Sequence, residues 1–329
     1  MKRIAFLVTV LTVMLATIPL TTYGWTRTYG GSGRDIGYAV QQTLDGGYVV
    51  TGEKAGKQWL LKTDAQGDTM WTSVYGWGRS YSVDETTDGG YILTGQGNSR
   101  FIWIQKTDAQ GHVLWARLYG RGTGRSVEQT EDGGYIIAGW YDTGDHYELA
   151  DLCLLKTDSL GDTLWTRTWR ILSDQYGYSV QQTMDGGYVI TGYLHFWGSS
   201  PRYLWLLKTD AQGRSVWEHA YGGEGPYNGS YVQQTRDGGY IITGRRGTAS
   251  FINAYLWLLK TDEDGDTVWT QIYGKTGWNE GCCVRETVDG GYIAVGIKDC
   301  KPGNLWLLKT DGEGDTLWTR IYGGVDVDC

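Results

Sequence analysis

The stretch TDGGYILTG, residues 87–95, decides how this chain folds, because the chain carries it in six related copies. The other copies are LDGGYVVTG at 44–52, EDGGYIIAG at 131–139, MDGGYVITG at 184–192, RDGGYIITG at 236–244 and VDGGYIAVG at 288–296. Paired glycines permit a tight turn, and the tyrosine and aliphatic residues after them favour a strand. Each copy therefore predicts a hairpin turn followed by a β-strand.

The spacing of these copies predicts the architecture. Their aspartates lie 43, 44, 53, 52 and 52 residues apart, which is typical of a propeller or a solenoid. One repeat holds four strand-like segments, such as YSVQQT (178–183), GGYVITG (186–192) and LWLLKTD (204–210), with a fourth of the type DTLWTRTW (162–169). Four short strands per repeat form a propeller blade, so we predict an all-β, six-bladed β-propeller of four-stranded antiparallel blades over residues 25–329.

The connections between predicted strands fall into two classes. The Asp-Gly-Gly turn and the turn marked by Asp210, Gly213 and Trp217 recur in every repeat with the same spacing. The connection from the glycine after the hairpin strand to the lysine of KTD varies from 10 to 17 residues, and the connection between repeats also varies. Both variable connections emerge on one side of a propeller, here called the variable-loop face. We expect a ligand to be recognised on this face, whereas the repeated hairpins support the fold.

Two near copies of a fourth strand, WTRTYGG (25–31) and WTRIYGG (318–324), stand at opposite ends of the repeats. The chain thus has seven fourth strands but six sets of the other three. We expect one copy to close the ring by pairing with strands from the opposite terminus, which removes an exposed edge. The alternative is that the chain is a fragment of a seven-bladed propeller.

The run YGGSGRDIGYAVQQTLDGGYVVTG (29–52), followed by WLLKTDAQGDTMW (59–71), resembles the SBBP-type β-propeller repeat of exported bacterial proteins. The resemblance extends over residues 25–324 in six copies. It implies a propeller in an extracytoplasmic protein and says little about activity, because that family is largely uncharacterised.

Residues 1–24 have the pattern of a secretory signal peptide. Lys2 and Arg3 precede an apolar run from Ile4 to Leu20, and small residues precede Trp25. We therefore expect a secreted or cell-surface protein, monomeric and without a membrane span in the mature chain. The net charge of −8 argues against nucleic acid as a partner.

Aromatic, charged and histidine side chains are concentrated on the predicted variable connections, which makes them the candidate ligand-binding residues. The candidates are Trp140, Tyr141, Asp142 and His146; Tyr193, His195 and Trp197; Arg245 and Arg246; and Trp77 and Trp278. Exposed rings with polar neighbours suit a glycan or a protein surface. The alternative is that several of these rings only fold over the rims of the blades.

We expect an exported binding or scaffold module, without cofactor or metal, whose partner is an extracellular glycan or protein. One alternative is a glycan hydrolase that uses Asp142, Asp145 or Glu148 in the central mouth. A second is a quinoprotein-like redox enzyme, because the adjacent pair Cys282 and Cys283 resembles the vicinal disulfide of quinoprotein alcohol dehydrogenases. The sequence contains no GxSxG or HExxH motif, so a non-enzymatic role is the preferred prediction.

The repeated tryptophans and the tyrosines after Gly-Gly are predicted to pack between blades. Replacing Trp165 or Trp217 should therefore destabilise the fold, whereas Trp140 and Trp197 should serve recognition. The lysines of KTD are expected to reach past the strand ends and pair with nearby acids, so loss of Lys208 should be mild. These lysines are Lys62, Lys106, Lys156, Lys208, Lys260 and Lys309.

The five cysteines show no spacing typical of a metal site. Because export permits oxidation, we predict a disulfide between Cys300 and either Cys282 or Cys283. Cys153 is expected to be a small buried apolar residue, and Cys329 has no evident partner.

Overall fold

The computed structural model describes residues 25–142, 150–170, 173–196, 202–223, 225–248, 253–298 and 304–323. Within these ranges it contains 22 β-strands and one short 3₁₀ helix, Asn98–Arg100. Each strand pairs antiparallel with its neighbours in sequence, as a series of predicted hairpins requires.

The first ten strands form one continuous sheet. They are β1 (Asp35–Gln42), β2 (Tyr48–Lys54), β3 (Lys57–Thr63), β4 (Thr69–Glu85), β5 (Tyr91–Gly97), β6 (Phe101–Thr107), β7 (Val113–Gln129), β8 (Tyr135–Asp142), β9 (Ala150–Thr157) and β10 (Thr163–Trp169).

The remaining strands form three separate four-stranded sheets. The first contains β11 (Ser173–Gln182), β12 (Tyr188–Phe196), β13 (Arg202–Thr209) and β14 (Ser215–Tyr221). The second contains β15 (Tyr227–Gln234), β16 (Tyr240–Gly247), β17 (Ala254–Thr261) and β18 (Thr267–Tyr273). The third contains β19 (Glu280–Glu286), β20 (Tyr292–Lys298), β21 (Asn304–Thr310) and β22 (Thr316–Tyr322).

Two long strands, β4 and β7, each serve two neighbouring repeats. The first part of β4 pairs with β3 as far as Trp77, and the part from Gly78 pairs with β5. In the same way β7 pairs with β6 as far as Arg121 and with β8 from Gly122. The pairing therefore divides the described strands into six units of four, which we number one to six in chain order.

The Asp-Gly-Gly turns hold their shape through one aspartate each. In unit four, Asp185 Oδ1 accepts hydrogen bonds from the Thr183 hydroxyl and from Gly187 N. Gly186 has φ of 79°, which favours glycine, and a Cβ on Gly187 would lie 2.1 Å from the carbonyl oxygen of Thr209. Backbone conformation at the first glycine and close packing at the second therefore explain why both glycines recur in the turn.

The units pack face to face through aromatic pairs, as the sequence predicts for the core. The fourth-strand tryptophan of one unit meets the edge of the tyrosine after Gly-Gly in the next, at centroid distances of 5.7–5.9 Å. The pairs are Trp71–Tyr91, Trp115–Tyr135, Trp165–Tyr188, Trp217–Tyr240 and Trp269–Tyr292. These five tyrosines are all at most 4% exposed, so the rings form the interior between units.

The first strands of the units surround a common centre. The positive charge of Arg285 in unit six acts on Asp84 in unit two and on Glu128 in unit three, so side chains from distant units lie near one another. The fourth strands, by contrast, alternate exposed and half-buried residues, as outer strands do. This is the radial order of strands in a β-propeller.

The two terminal copies of the fourth strand behave differently from the expected ring closure. Residues 318–322 lie in β22 and pair with β21 of their own unit, and residues 25–31 form no strand. Neither copy pairs with a described strand from the opposite terminus. None of the described residues forms a helix that is long and apolar enough to cross a membrane.

Candidate functional site

One residue of each first strand leaves the regular strand pattern in a β-bulge. A bulge redirects a side chain, here at the innermost strand of each unit. These bulge residues are Tyr38, Tyr81, Arg125, Tyr178, Ser230 and Cys282. The residue at this position is tyrosine, arginine, serine or cysteine, so the units differ in the chemistry that they place there.

Arg125 is held between two tyrosines of neighbouring units. Its guanidinium carbon lies 4.3 Å from the ring centroid of Tyr81 and 5.5 Å from that of Tyr178. Tyr38 extends the row on the other side, with its ring centroid 5.0 Å from that of Tyr81. Cation–π contact fixes the orientation of the guanidinium without neutralising its charge.

The row continues toward the variable-loop face through residues of unit four. Tyr193 lies 5.8 Å from Tyr178 and stacks on Tyr176 at 4.7 Å between centroids. Arg202 lies 5.0 Å above the Tyr193 ring, and Trp140 of unit three meets the edge of Tyr176 at 5.6 Å. We call these eight residues the tyrosine–arginine cluster: Tyr38, Tyr81, Arg125, Trp140, Tyr176, Tyr178, Tyr193 and Arg202.

Arg125 keeps an unbalanced charge in this cluster. No carboxylate among the described residues forms an ion pair with it, and its buried Nε has no hydrogen-bond partner there. Burial raises the pKa of Tyr176 and Tyr178, so both phenols stay protonated at neutral pH and can donate hydrogen bonds. The cluster therefore offers a cation, phenol donors and flat rings together.

Below the bulge residues, a ring of side chains joins each unit to the next, and we call it the inner ladder. In units one to five, a side-chain oxygen of the penultimate residue of the first strand accepts a hydrogen bond from a backbone N–H of the following unit, at 2.7–2.9 Å. The acceptors and donors are Gln41 with Glu85 N, Asp84 with Gln129 N, Glu128 with Gln182 N, Gln181 with Gln234 N, and Gln233 with Glu286 N.

The two acids of the inner ladder are shielded from water. Burial raises the pKa of Glu128 to about 7 and raises the pKa of Asp84, although each carboxylate accepts a backbone hydrogen bond. Arg285 occupies the corresponding position in unit six, and its guanidinium lies 4.8 Å from the ring centroid of Tyr231. These acids serve the junctions between units.

The predicted site residues of unit three lie on strand β8 instead of a loop. Tyr141 is half-buried and packs against the core of units two and three, and burial raises its pKa. Asp142 forms an ion pair with Arg121 at 3.4 Å. Trp140 is half-buried between units three and four, where it contacts Tyr176. His146, Asp145 and Glu148 lie outside the described residues.

The predicted residues of unit four are also on strands. Tyr193 is only 8% exposed, so it supports the cluster from behind and does not present a free ring. His195 Nδ1 lies 3.9 Å from Asp174 Oδ2. Arg202, on β13, is exposed at the end of the cluster. Trp197 lies outside the described residues.

The remaining candidates lie away from the tyrosine–arginine cluster. Arg245 covers the Trp278 ring at 4.6 Å and pairs with Glu280 at 3.6 Å, so both serve the junction of units five and six. Arg246 lines a groove of about 340 Å³ between units four and five, beside Tyr227. Trp77 is 60% exposed, as predicted for a surface ring, and Lys57 Nζ lies 5.2 Å from its centroid.

The KTD lysines pair with acids, as the sequence predicts, but their ammonium groups are not in solvent. All six side chains are at most 10% exposed, and each forms an ion pair at 2.8–3.0 Å with the aspartate of the hairpin turn. Each Nζ also donates to the carbonyl of the next threonine, as Lys208 does to Thr209 at 2.9 Å. The lysines are therefore structural residues that join two turns.

The cysteines give a mixed outcome. Cys153 is 1% exposed, as expected for a small apolar residue. The predicted disulfide of Cys282 or Cys283 involves Cys300, which lies outside the described residues. No group of three or more potential metal ligands is present among the described residues.

The sequence did not predict Tyr38, Tyr81, Arg125, Tyr176 and Tyr178 as site residues, because the longest connections carry the most distinctive aromatic and charged residues. A signal was present: two residues before the valine that every first strand repeats, the residue is tyrosine in three units and arginine, serine or cysteine in the others. Comparing the repeats at this position identifies Tyr38, Tyr81, Arg125 and Tyr178, which are half of the cluster.

Neither a family model nor a curated protein matches this sequence. Among solved structures, the WD40 β-propeller domain of Doa1 aligns with a TM-score of 0.62 at 11% identity, over 88% of this chain and 84% of that domain. The WD40 domain of Neurospora crassa Pan2 aligns with a TM-score of 0.57 at 11% identity, over 89% and 80%. Sqt1 from Chaetomium thermophilum aligns at 0.56 and 9%, over 89% and 73%. At such identities the likeness concerns the fold alone, and this chain has the fold of a β-propeller.

Proposed function

We propose that this chain is an exported binding module of SBBP-type repeats, with six propeller blades, that captures an extracellular glycan or protein through the tyrosine–arginine cluster. The observation that carries the proposal is Arg125, whose guanidinium is fixed between Tyr81 and Tyr178 without an acid partner among the described residues. A cation oriented in this way, beside phenol donors, is suited to an anionic group on a ligand.

The chemistry of the cluster favours an acidic glycan over a neutral one. Tyrosine faces can stack on the apolar face of a sugar ring, while the phenols and the guanidinium bind its polar groups. A uronic acid would place its carboxylate on Arg125. Arg202, exposed over Tyr193, adds a second positive charge on the same side. A protein partner would present an aspartate or glutamate in the same place.

Export is the second part of the proposal, and it rests on Lys2, Arg3 and the apolar run that follows them. Mass spectrometry of the exported protein is expected to find Trp25 at its N-terminus.

The binding site is tested by calorimetry on the chain that begins at Trp25, after an array of acidic and neutral glycans has selected a ligand. Arg125→Gln keeps the length of the polar side chain but removes its charge, so affinity is expected to fall by at least about tenfold. Arg125→Lys should restore part of it, because charge returns without the planar fork.

Arg117→Gln is the matched control. Arg117 lies on β7 in unit two, stacks on Trp115 at 5.8 Å and is exposed on the outer strand. Its loss removes one positive charge of equal size and should leave binding unchanged. Equal binding by the Arg125→Gln variant and the parent chain would contradict the proposal, as would an array on which only neutral glycans bind.

A further inference from the structure

The contacts between consecutive units form a repeated set that can be followed around the ring. Besides the Trp–Tyr pairs and the inner ladder, a second ladder joins the units at their hairpin turns, and we call it the outer ladder. A side-chain oxygen near the end of each first strand accepts a hydrogen bond at 2.7–3.0 Å from the turn of the preceding unit. The acceptors and donors are Glu85 with Leu44 N, Gln129 with Thr87 N, Gln182 with Glu131 N, Gln234 with Met184 N, and Glu286 with Arg236 N.

Among the described residues, neither ladder continues from unit six to unit one. The inner-ladder position of unit six is Arg285, which has donors only and cannot accept a backbone hydrogen bond. In the outer ladder, no described backbone N–H donates to the side-chain oxygen of Gln42 in unit one, although its Nε2 donates to Gly46 of its own turn as Gln129 and Gln234 do in theirs.

Residues 25–29 occupy the place of a preceding unit against unit one. Trp25 meets the edge of Tyr48 at 5.7 Å, as the fourth-strand tryptophans meet their tyrosines elsewhere. The Tyr29 hydroxyl donates to the carbonyl of Gly67, as Tyr75 does to Gly111 one unit later. Trp25 Nε1 donates to a carbonyl in the same turn, Ala65, as Trp269 does to Gly312. The segment thus makes the contacts of a fourth strand, although no described strand pairs with it.

The remainder of this side of unit one is uncovered. Val40 is 66% exposed, whereas the equivalent valines Val83, Val127, Val180, Val232 and Val284 are at most 8% exposed. Val83 is buried because Val49 and Leu60 of the preceding unit pack on it. No described residues pack on Val40 in this way.

The outer face of unit six is uncovered in the complementary way. Trp318 and Tyr322 of β22 are 42% and 44% exposed, although their equivalents Trp269 and Tyr273 pack on the following unit. Leu305 of β21 is 48% exposed. Unit six therefore presents the same aromatic residues that join every other pair of neighbours, with no neighbour to receive them among the described residues.

We propose that a three-stranded β-meander of this same repeat type, carried by a partner polypeptide, docks between unit six and unit one and completes a ring of seven blades. Three strands suffice, because residues 25–29 already lie in the position of the fourth. The repeat type follows from the contacts to be met: Trp318 needs a tyrosine after Gly-Gly, Tyr322 needs a turn carbonyl, and Val40 needs aliphatic residues like Val49 and Leu60. Among the described strands none can supply this meander, because each is already paired within its own unit.

The test uses the chain from Trp25 to Cys329 and, as probe, a peptide that covers residues 225–266, the first three strands of unit five with both turns. We expect a one-to-one complex in native mass spectrometry. Amide exchange in residues 36–42 and 316–322 should slow by about tenfold or more, because both exposed faces become packed. A control peptide with Tyr240→Ser and Leu258→Asp loses one residue of each face, because Tyr240 packs on the preceding unit and Leu258 on the following one in the parent chain, and it should not bind.

A second arm keeps the test decisive if the free peptide aggregates. The same segment is fused after Cys329, in active and control forms, and the active fusion should protect both regions and raise the melting temperature relative to the control fusion. Unchanged exchange in both arms would overturn the proposal. It would also be overturned if the unmodified chain alone protects residues 316–322 by forming a dimer at higher concentration. Glycan binding through Arg125 is measured separately and does not enter either result.

Discussion

Glu128 shows how one buried carboxylate makes stability depend on pH. Burial raises its pKa from 4.5 to about 7, so between these values the folded chain holds a proton that the unfolded chain has released. The free energy of unfolding therefore falls as pH rises through this window and stays lower above it. The chain itself offers the matched replacement, since Gln181 and Gln233 make the same inner-ladder hydrogen bond without a charge.

Replacing Glu128→Gln should accordingly stabilise the protein at pH 8, by roughly 1–3 kcal/mol, and leave it nearly unchanged at pH 4.5. Urea unfolding at the two pH values measures the difference. Glu131→Gln is a suitable control, because that residue lies in an exposed turn. A variant that is less stable than the parent at pH 8 would show that the ionised carboxylate is needed at this junction.

Lys208 is the second case, and here the structure reverses the expectation of a mild effect. Its Nζ donates to both oxygens of Asp185 and to Thr209, and the side chain is only 6% exposed. Although burial alone would raise the pKa of Asp185, hydrogen bonds from Lys208, Thr183 and Gly187 lower it to about 2. The pair therefore adds stability above about pH 4, and this contribution is lost as pH falls toward 2.

Lys208→Met, which keeps the apolar stem, should cost about 1–3 kcal/mol at pH 7, because it leaves Asp185 and the Thr209 carbonyl without their donor. Thermal unfolding at pH 7 and at pH 2.5 measures the cost, which should shrink at the lower pH. Lys57→Met, at a half-buried position with no acid partner among the described residues, is the control. A cost that is the same at both pH values would point to packing alone.

At the scale of the strand, the same residue contributes differently to the free energy of unfolding in different units. Trp165 packs against Tyr188 at 5.9 Å, whereas Trp318, its equivalent in unit six, is 42% exposed. Trp165→Ala should therefore cost about 3–5 kcal/mol, and Trp318→Ala less than about 1 kcal/mol. Chemical denaturation of the two variants provides the comparison. Similar costs would mean that Trp318 is covered in solution, which native mass spectrometry can assign to a partner or a second copy.

Strand length explains why part of the site was misplaced from the sequence. The hairpin strands were expected to end at the glycine of TG, yet β8 continues to Asp142 and β12 to Phe196. Trp140 pairs with Leu152 and Tyr193 with Leu204, so backbone pairing continues beyond the repeated segment. How far a strand extends depends on the length of its partner strand. Because successive side chains point to opposite faces, every second residue of the extension points toward the interior.

At the scale of the whole molecule, the sequence was most informative where the repeats agree with one another. The hairpin turns, the four strands of each unit and the aromatic packing between units all follow from the period and from Asp-Gly-Gly. The cluster around Arg125 does not, because its residues come from different units and meet only through the curvature of the ring. The open sides of units one and six were likewise hidden, since Val40 and Trp318 are identical in sequence to buried equivalents.

The continuous strands β4 and β7 have a mechanical consequence. They merge units one to three into a single sheet of ten strands, whereas units four, five and six are separate sheets. Tension between the ends of the chain would separate units one to three only by pulling β4 from β3 or β5, or β7 from β6 or β8. Each of these pairings is a row of backbone hydrogen bonds that resists as a group. Units four to six can detach one at a time, because no strand bridges them. Units one to three are thus linked by shared strands, whereas the later units are not, and under load the molecule would lengthen first from its C-terminal half.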